Sequence, residues 1–175
     1  MEEVYENEVF MTIDEFPEYM VSDLGRIWSD KRNIYLKCRE NNDGYLEVNL
    51  TNGSRKKGSM KKVNQLVATA FITNTENKPI ADHINGIRND NRLINLRWAT
   101  YSQNAQNRKV SSTNRCGFKG VTFHKGTKKW TARIQIDGIR VQLGYYNTIE
   151  EAKQARITRA NQVFGEFIHS CEKIN

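Results

Sequence analysis

The sequence predicts an α+β protein, small and modular, whose last part is a three-stranded antiparallel sheet packed on one helix. Three observations point there. Apolar residues alternate with polar ones through 44–50, 118–124, 130–136 and 139–146, the period of a half-buried strand. Residues 63–72 and 148–165 show the helical period instead. Turn dipeptides such as Asn52-Gly53, Asn85-Gly86 and Asp137-Gly138 separate the segments.

In chain order, residues 1–12 read as an acidic lead-in, and EFPEYMVSDLGRIWSDKRNIYLK (15–37) as short strands joined by turns, one of them at Ser22-Asp23 to Gly25. GYLEVNL (44–50) places Leu46, Val48 and Leu50 on one face of a strand. Asn52-Gly53 follows as a hairpin turn, with RKKGSMKK (55–62) as a basic arm beyond it. VNQLVATAFI (63–72) sets Val63, Leu66, Val67, Ala70 and Phe71 at helical spacing. Ile80–Ile84 and Leu96–Ala99 read as two strands, and Thr100 or Ser102 as the cap of a helix through Gln103, Asn104 and Asn107.

Residues 108–117 are polar and turn-rich. The chain thus divides into an N-terminal module (1–44), a core (45–109), a linker (110–116) and a C-terminal domain (117–175). In the last of these, TIEEAKQARITRANQVFG (148–165) carries a capping box of Thr148 with Glu151 and a glycine stop at Gly165. Its small Ala152, Ala155 and Ala160 allow close approach to the sheet.

Hydrophobic residues make up 38% of the 175, too few for one large core, so thin layers are expected. No apolar run reaches the ~18 residues of a membrane span, and the N-terminus lacks the features of a signal peptide. The expected setting is cytoplasmic, with access to DNA and no membrane partner. Cys38, Cys116 and Cys171 are odd in number and widely spaced, which suits a reducing compartment and gives no zinc spacing. Charge is divided sharply. The first 25 residues hold eight acids and no Lys or Arg, whereas the rest holds all 27 Lys and Arg against 12 acids, a net +15. Such a body favours a polyanionic partner, nucleic acid first, although charge alone fits a merely soluble basic surface as well.

ADHINGIRNDNRLINLRWAT (81–100) concentrates short polar side chains. Asp82 and Asn104 can supply two oxygen ligands to one hard cation of the Mg²⁺ type, with waters and a substrate phosphate completing the shell. His83, across the pleat from Asp82, is placed to act on a water as general base in phosphodiester hydrolysis. Asn95 reads as a brace for the loop, and Asn89 and Asn91 as ordinary loop residues. Taken singly, each is more often a cap or turn residue. Their joint spacing carries the functional reading.

DHINGIRNDNRLINLRWATYSQNAQN resembles the core of HNH nucleases with the ββα-metal fold, in the homing-endonuclease branch. The resemblance implies that Asp82 and Asn104 bind metal, that His83 activates the water, and that Asn95 supports the loop presenting it. Asn104 stands where many relatives carry His, which favours Mg²⁺ or Mn²⁺. VNQLVATAF is similar to a helix often written VHRLVA, with Asn64 in place of the His, a change expected to affect packing. EFPEYMVSDLGRIWS resembles the nuclease-associated module of NUMOD-four type. The C-terminal GFKGVTF…KKWTARIQIDGIRVQLGYYNTIEEA resembles the DNA-binding domain of ethylene-response factors (AP-two type).

Independently of that resemblance, the alternation of the last sheet assigns Val121, Phe123, Trp130, Ala132, Ile134, Ile136, Val141 and Leu143 to the core. Lys119, Thr122, His124, Thr131, Arg133, Gln135, Arg140 and Gln142 then point outward, a set suited to a DNA groove. A polar outer face is equally ordinary for a solvated antiparallel sheet. Arg97 and Arg55-Lys56-Lys57 are further candidate contacts to the DNA backbone. Together these readings predict a metal-dependent HNH homing endonuclease, a monomer without a small-molecule cofactor, that nicks one strand of double-stranded DNA. The alternatives are a DNA-binding regulator with an inactive nuclease core and an RNA-binding accessory. For the latter the face carries few aromatics, Tyr145 and Tyr146.

Overall fold

The computed structural model describes residues 7–52, 58–108, 110, 114, 116–168 and 172. It is α+β and divides into two compact units, Met1–Ala99 and Thr100–Asn175.

In the first unit, β1 (Phe10–Ile13), β2 (Phe16–Ser22), β3 (Ile27–Ser29) and β4 (Ile34–Tyr35) form one antiparallel sheet in that order. The β2–β3 turn uses Gly25 at φ +81°, a left-handed conformation that glycine adopts without steric cost. A second sheet holds β5 (Arg39–Glu40), β6 (Leu46–Leu50) and β7 (Ser59–Lys62), with β6 in the middle. Half of the expected basic arm is therefore the return strand of a hairpin, Ser59 pairing with Leu50 and Met60 with Asn49. Arg55, Lys56 and Lys57 lie outside the described residues.

Helix α1 (Val63–Phe71) follows directly, and β8 (Ile80–His83) pairs antiparallel with β9 (Leu96–Ala99). These elements enclose one core. Ile13, Phe16, Tyr19, Val21 and Ile27 of the first sheet meet Val48 and Leu50 of the second, Val63, Leu66 and Val67 of α1, and Leu96 of β9. The first sheet and the segment after it thus bury their apolar faces against each other.

In the second unit, α2 (Tyr101–Asn107) begins at Thr100, whose side chain accepts from the Gln103 amide at 3.2 Å while the Gln103 side chain accepts from the Thr100 amide at 2.8 Å. Strands β10 (Val121–His124), β11 (Lys129–Ile136) and β12 (Ile139–Tyr146) form a three-stranded antiparallel sheet in chain order. Helix α3 (Ile149–Phe164) packs on it, opened by the reciprocal Thr148–Glu151 bonds and ended by Gly165. Ala152 and Ala160 are fully buried, so the helix backbone lies close to its neighbours.

Phe118, Val121, Ala132 and Ala152 form this second core, with Trp130, Leu143 and Tyr146 against it. Phe123 departs from the expected core set: it is 50% exposed and sits edge-on to Trp130 at 5.3 Å. It lies on β10, an edge strand, whereas α3 covers mainly β11 and β12. Arg156 of α3 and Glu172 form a buried ion pair at 2.8 Å, and burial pushes the Glu172 carboxyl up. Among the described residues no helix is long and apolar enough to cross a membrane.

Leu50 is fully buried where the two sheets and α1 meet. Leu50→Ala is expected to cost about 2–5 kcal/mol, measured by urea unfolding. The N-terminal sheet and α1 should lose structure in one transition.

Candidate active site

The site grows from a very short strand pair. Antiparallel register sets Asp82 opposite Arg97 and His83 opposite Leu96. Four-residue strands hold little by themselves, and α1 anchors both. Asn64 donates from Nδ2 to the Ala81 carbonyl at 2.8 Å, and Trp98 donates from Nε1 to the Ile72 carbonyl at 2.9 Å.

The connection from β8 to β9 is closed by its own carboxamides. Asn95 donates from Nδ2 to Asn85 Oδ1 at 3.0 Å and to the Asp90 carbonyl at 2.8 Å, and its Oδ1 accepts from the Asn85 amide at 3.0 Å. Asp90 takes the Arg92 guanidinium at 2.7 and 2.8 Å and the Asn85 Nδ2 at 2.8 Å. The Arg92 bonds hold the Asp90 carboxyl down at about 2.

His83 is 4% exposed, and its Nε2 lies 2.9 Å from Asn91 Oδ1. A carboxamide oxygen only accepts, so Nε2 carries the proton and the neutral ring keeps its lone pair on Nδ1. Burial pushes the His83 pKa below its ordinary value, against the opposing pull of Asn91 and Asp82. The ring is therefore neutral at neutral pH, the form a general base needs. Asn91 is itself 4% exposed, so it is no ordinary loop residue. Its spacing in the sequence resembles that of its exposed neighbours, and only the folded chain shows where its side chain ends.

Asp82 is 5% exposed, and its Oδ2 accepts from Arg97 Nε and Nη2, both at 3.0 Å. Arg97 therefore serves Asp82 here, rather than standing outward as a candidate DNA contact. Two further cations flank the site, Lys62 from the end of the basic arm and Arg88 from the β8–β9 loop. The Lys62 ammonium lies 4.4 Å and the Arg88 guanidinium 5.0 Å from the Tyr45 ring, which is 5.9 Å from the His83 ring. Asn104 lies on α2, in the second unit. Among the described residues no three His, Cys, Asp or Glu side chains gather as a metal cluster.

On the outer face of the C-terminal sheet, Thr122, His124, Arg133, Gln135, Arg140 and Gln142 are exposed. Thr122 Oγ1 accepts from Arg133 Nη2 at 3.2 Å, and Gln135 and Gln142 donate to the Gly138 and Gly144 carbonyls at 3.3 and 2.9 Å. Two expected members of this face differ. Thr131 is 2% exposed, its hydroxyl 3.1 Å from that of Thr122, because its neighbours cover so short a side chain. Lys119 turns its ammonium to the last carbonyls of α2, those of Ala105 and Arg108 at 3.3 and 3.1 Å and that of Gln106. Unpaired carbonyls at a helix C-terminus attract such a charge. A cleft of about 570 Å³ runs between Tyr101, Ser102 and Gln106 of α2 and Thr122, Arg133 and Arg140 of the sheet.

Residues 62–106 match the family model described as HNH endonuclease, and residues 8–51 match the NUMOD4 motif. An uncharacterized HNH endonuclease of Acanthamoeba polyphaga mimivirus is 38% identical over 154 residues, 87% of this chain and 44% of the relative. The DNA endonuclease I-HmuI of Bacillus phage SP01 is 35% identical over 95 residues, 54% of this chain and 53% of the relative. A solved structure described as DNA binding and cleavage by the HNH homing endonuclease I-HmuI aligns with a TM-score of 0.53 at 27% identity. That alignment covers 83% of this chain and 82% of the other. The chain spans about half or less of the length of the curated relatives it matches.

Removing Arg97 takes a bidentate guanidinium away from a buried carboxylate. Arg97→Ala is expected to cost about 3–5 kcal/mol in EDTA, read from urea unfolding. Asp90 gives a pH signature of the same sign as the buried His83 imidazole, but in a more acidic window. Its folded pKa of about 2 lies below the ordinary 3.8, so its contribution is present above pH 3.8 and lost as pH falls toward 2. In wild type, the protection factors of the amides in 85–95, taken against the intrinsic rate at each pH, should fall across that window. Asp90→Asn should remove the dependence.

Proposed function

We propose that this chain is a metal-dependent DNA endonuclease of the HNH homing type, hydrolysing one phosphodiester and nicking one strand of a double-stranded site. One observation carries the reading: a buried neutral imidazole, His83, held by a carboxamide beside a buried carboxylate, in a segment that matches the HNH family model.

In the proposed step, His83 Nδ1 takes a proton from a water as the water oxygen bonds to phosphorus. The bond to the leaving 3′ oxygen breaks, and that oxygen takes its proton from solvent. The imidazolium so formed lies next to the Asp82 carboxylate, which stabilises it. Asn95 acts through the backbone, holding the loop that presents the ring.

Asp82 is a hard oxygen donor of the kind Mg²⁺ accepts, and the Arg97 guanidinium on its Oδ2 is the cation that a metal ion would compete with. Mg²⁺ or Mn²⁺ would be held there by Asp82 and, on the sequence spacing, by the Asn104 carboxamide oxygen. Such an ion supplies neutralisation of the charge that develops on the phosphate oxygens.

The C-terminal sheet, by its resemblance to ethylene-response domains, serves as the targeting arm. Arg133 and Arg140 meet phosphates or guanines, Gln135 and Gln142 meet base edges, and Thr122 and His124 lie beside them. Lys119 is left out, being committed to α2. With one His83 per chain, a monomer cuts one strand, and no small-molecule cofactor takes part.

The test is conversion of supercoiled plasmid with Mg²⁺ and with EDTA, beside His83→Ala. Open circles without linear product are expected from wild type in Mg²⁺ alone, with about a 10²–10⁴-fold slower rate in His83→Ala. Equal behaviour of wild type and variant, both still binding DNA, would replace the nuclease by a DNA-binding regulator.

A further inference from the structure

We infer that Asn91 is a positioning residue for His83, and that the Asp23–Gly25 turn of the N-terminal sheet sets Asn91 in place. The inference rests on the nuclease reading for its catalytic meaning, and on geometry for the rest.

The loop asparagines differ in what they hold. Asn85 and Asn95 bond to each other and to backbone groups of their own loop, as turn residues do. Asn91 does not. Its Oδ1 bonds the imidazole of His83 at 2.9 Å, while its buried Nδ2 has no hydrogen-bond partner among the described residues. A carboxamide kept out of water with half its capacity unused is a poor loop fastener. What it does supply is one acceptor aimed at one ring nitrogen, which selects the tautomer and the plane of the ring.

The position of Asn91 is fixed from outside its loop. The Asp23 carbonyl accepts the Leu93 amide at 2.7 Å, two residues beyond Asn91. Gly25 packs against Asn91 so tightly that a Cβ there would lie 2.9 Å from Asn91 Cβ and 3.2 Å from its carbonyl oxygen. Gly25 also needs its left-handed φ of +81°. The turn is tied in turn to its own sheet, the Ser22 hydroxyl accepting the Arg26 amide at 2.9 Å and Ser22 O the Gly25 amide at 2.9 Å. The contact runs from the N-terminal sheet through Gly25 to Asn91, and through Asn91 to the His83 ring.

The test uses the full chain, ¹⁵N-labelled at its three histidines, with long-range ¹H–¹⁵N spectra in EDTA and plasmid nicking in Mg²⁺. His83 is assigned by the signal lost in His83→Ala. Wild type should show the Nε2–H tautomer at His83. Asn91→Leu, of similar size but with no acceptor, should lose that bias and lower kcat about 10- to 100-fold, with KM for DNA unchanged. Asn91→Asp, which keeps an acceptor oxygen, should restore both. Gly25→Ala, outside the loop, should repeat the Asn91→Leu pattern.

An Nδ1–H tautomer in wild type would overturn the proposal, as would an Asn91→Leu protein with unchanged tautomer and kcat. If Asn91→Leu does not fold, Asn91→Asp against Gly25→Ala decides, the first holding the tautomer and the second losing it. If wild type does not nick DNA, the nuclease reading fails, while the tautomer comparison still decides what Asn91 does.

Discussion

Everything around the candidate site follows from one constraint: two four-residue strands must keep a carboxylate, an imidazole and two carboxamides out of water. Asp82, His83, Asn91 and Asn95 are each 6% exposed or less. An unpaired polar group in such a place costs about 1–3 kcal/mol, more than so short a ladder supplies. Most of these groups are therefore met by name: Asp82 by Arg97, His83 by Asn91 Oδ1, Asn95 by Asn85 and the Asp90 carbonyl, with the Asn91 Nδ2 left over among the described residues. The loop keeps one shape because its alternatives strand those groups. A rigid, dry, pre-oriented imidazole is the chemical result.

The constraint also explains why the N-terminal sheet is present in the first unit. Its Val21 and Ile27 share a core with Leu50, Val67 and Leu96, and its turn closes on the loop at Leu93 and Asn91. A segment of NUMOD4 type is readily taken as a separate recognition module. In this chain its Asp23–Gly25 turn packs against the loop that carries Asn91.

Much of this was legible in sequence, for identifiable reasons. Helix starts at Thr100 and Thr148 follow from capping boxes, which are local and need no tertiary context. The pairing of the last three strands follows from alternation and the Asp137-Gly138 turn. Side-chain destinations were less legible. Asn91 reads like its neighbours because spacing does not say which asparagine turns inward. Arg97 and Lys119 read as surface charges until the fold gives each a buried or helix-end acceptor. Phe123 and Thr131 break the alternation because one lies on an edge strand and the other is short enough for its neighbours to cover.

The Asp23–Leu93 bond and the Gly25–Asn91 contact join the N-terminal sheet and the loop carrying His83 and Asn91 into one cooperative structure. Native-state hydrogen exchange measures this directly. The Leu93 amide, donated to Asp23, and the Asn85 amide, donated to Asn95, should open with the same free energy as the amides of β2 and β3. Loop amides that exchange freely while the N-terminal sheet stays fully protected would contradict it.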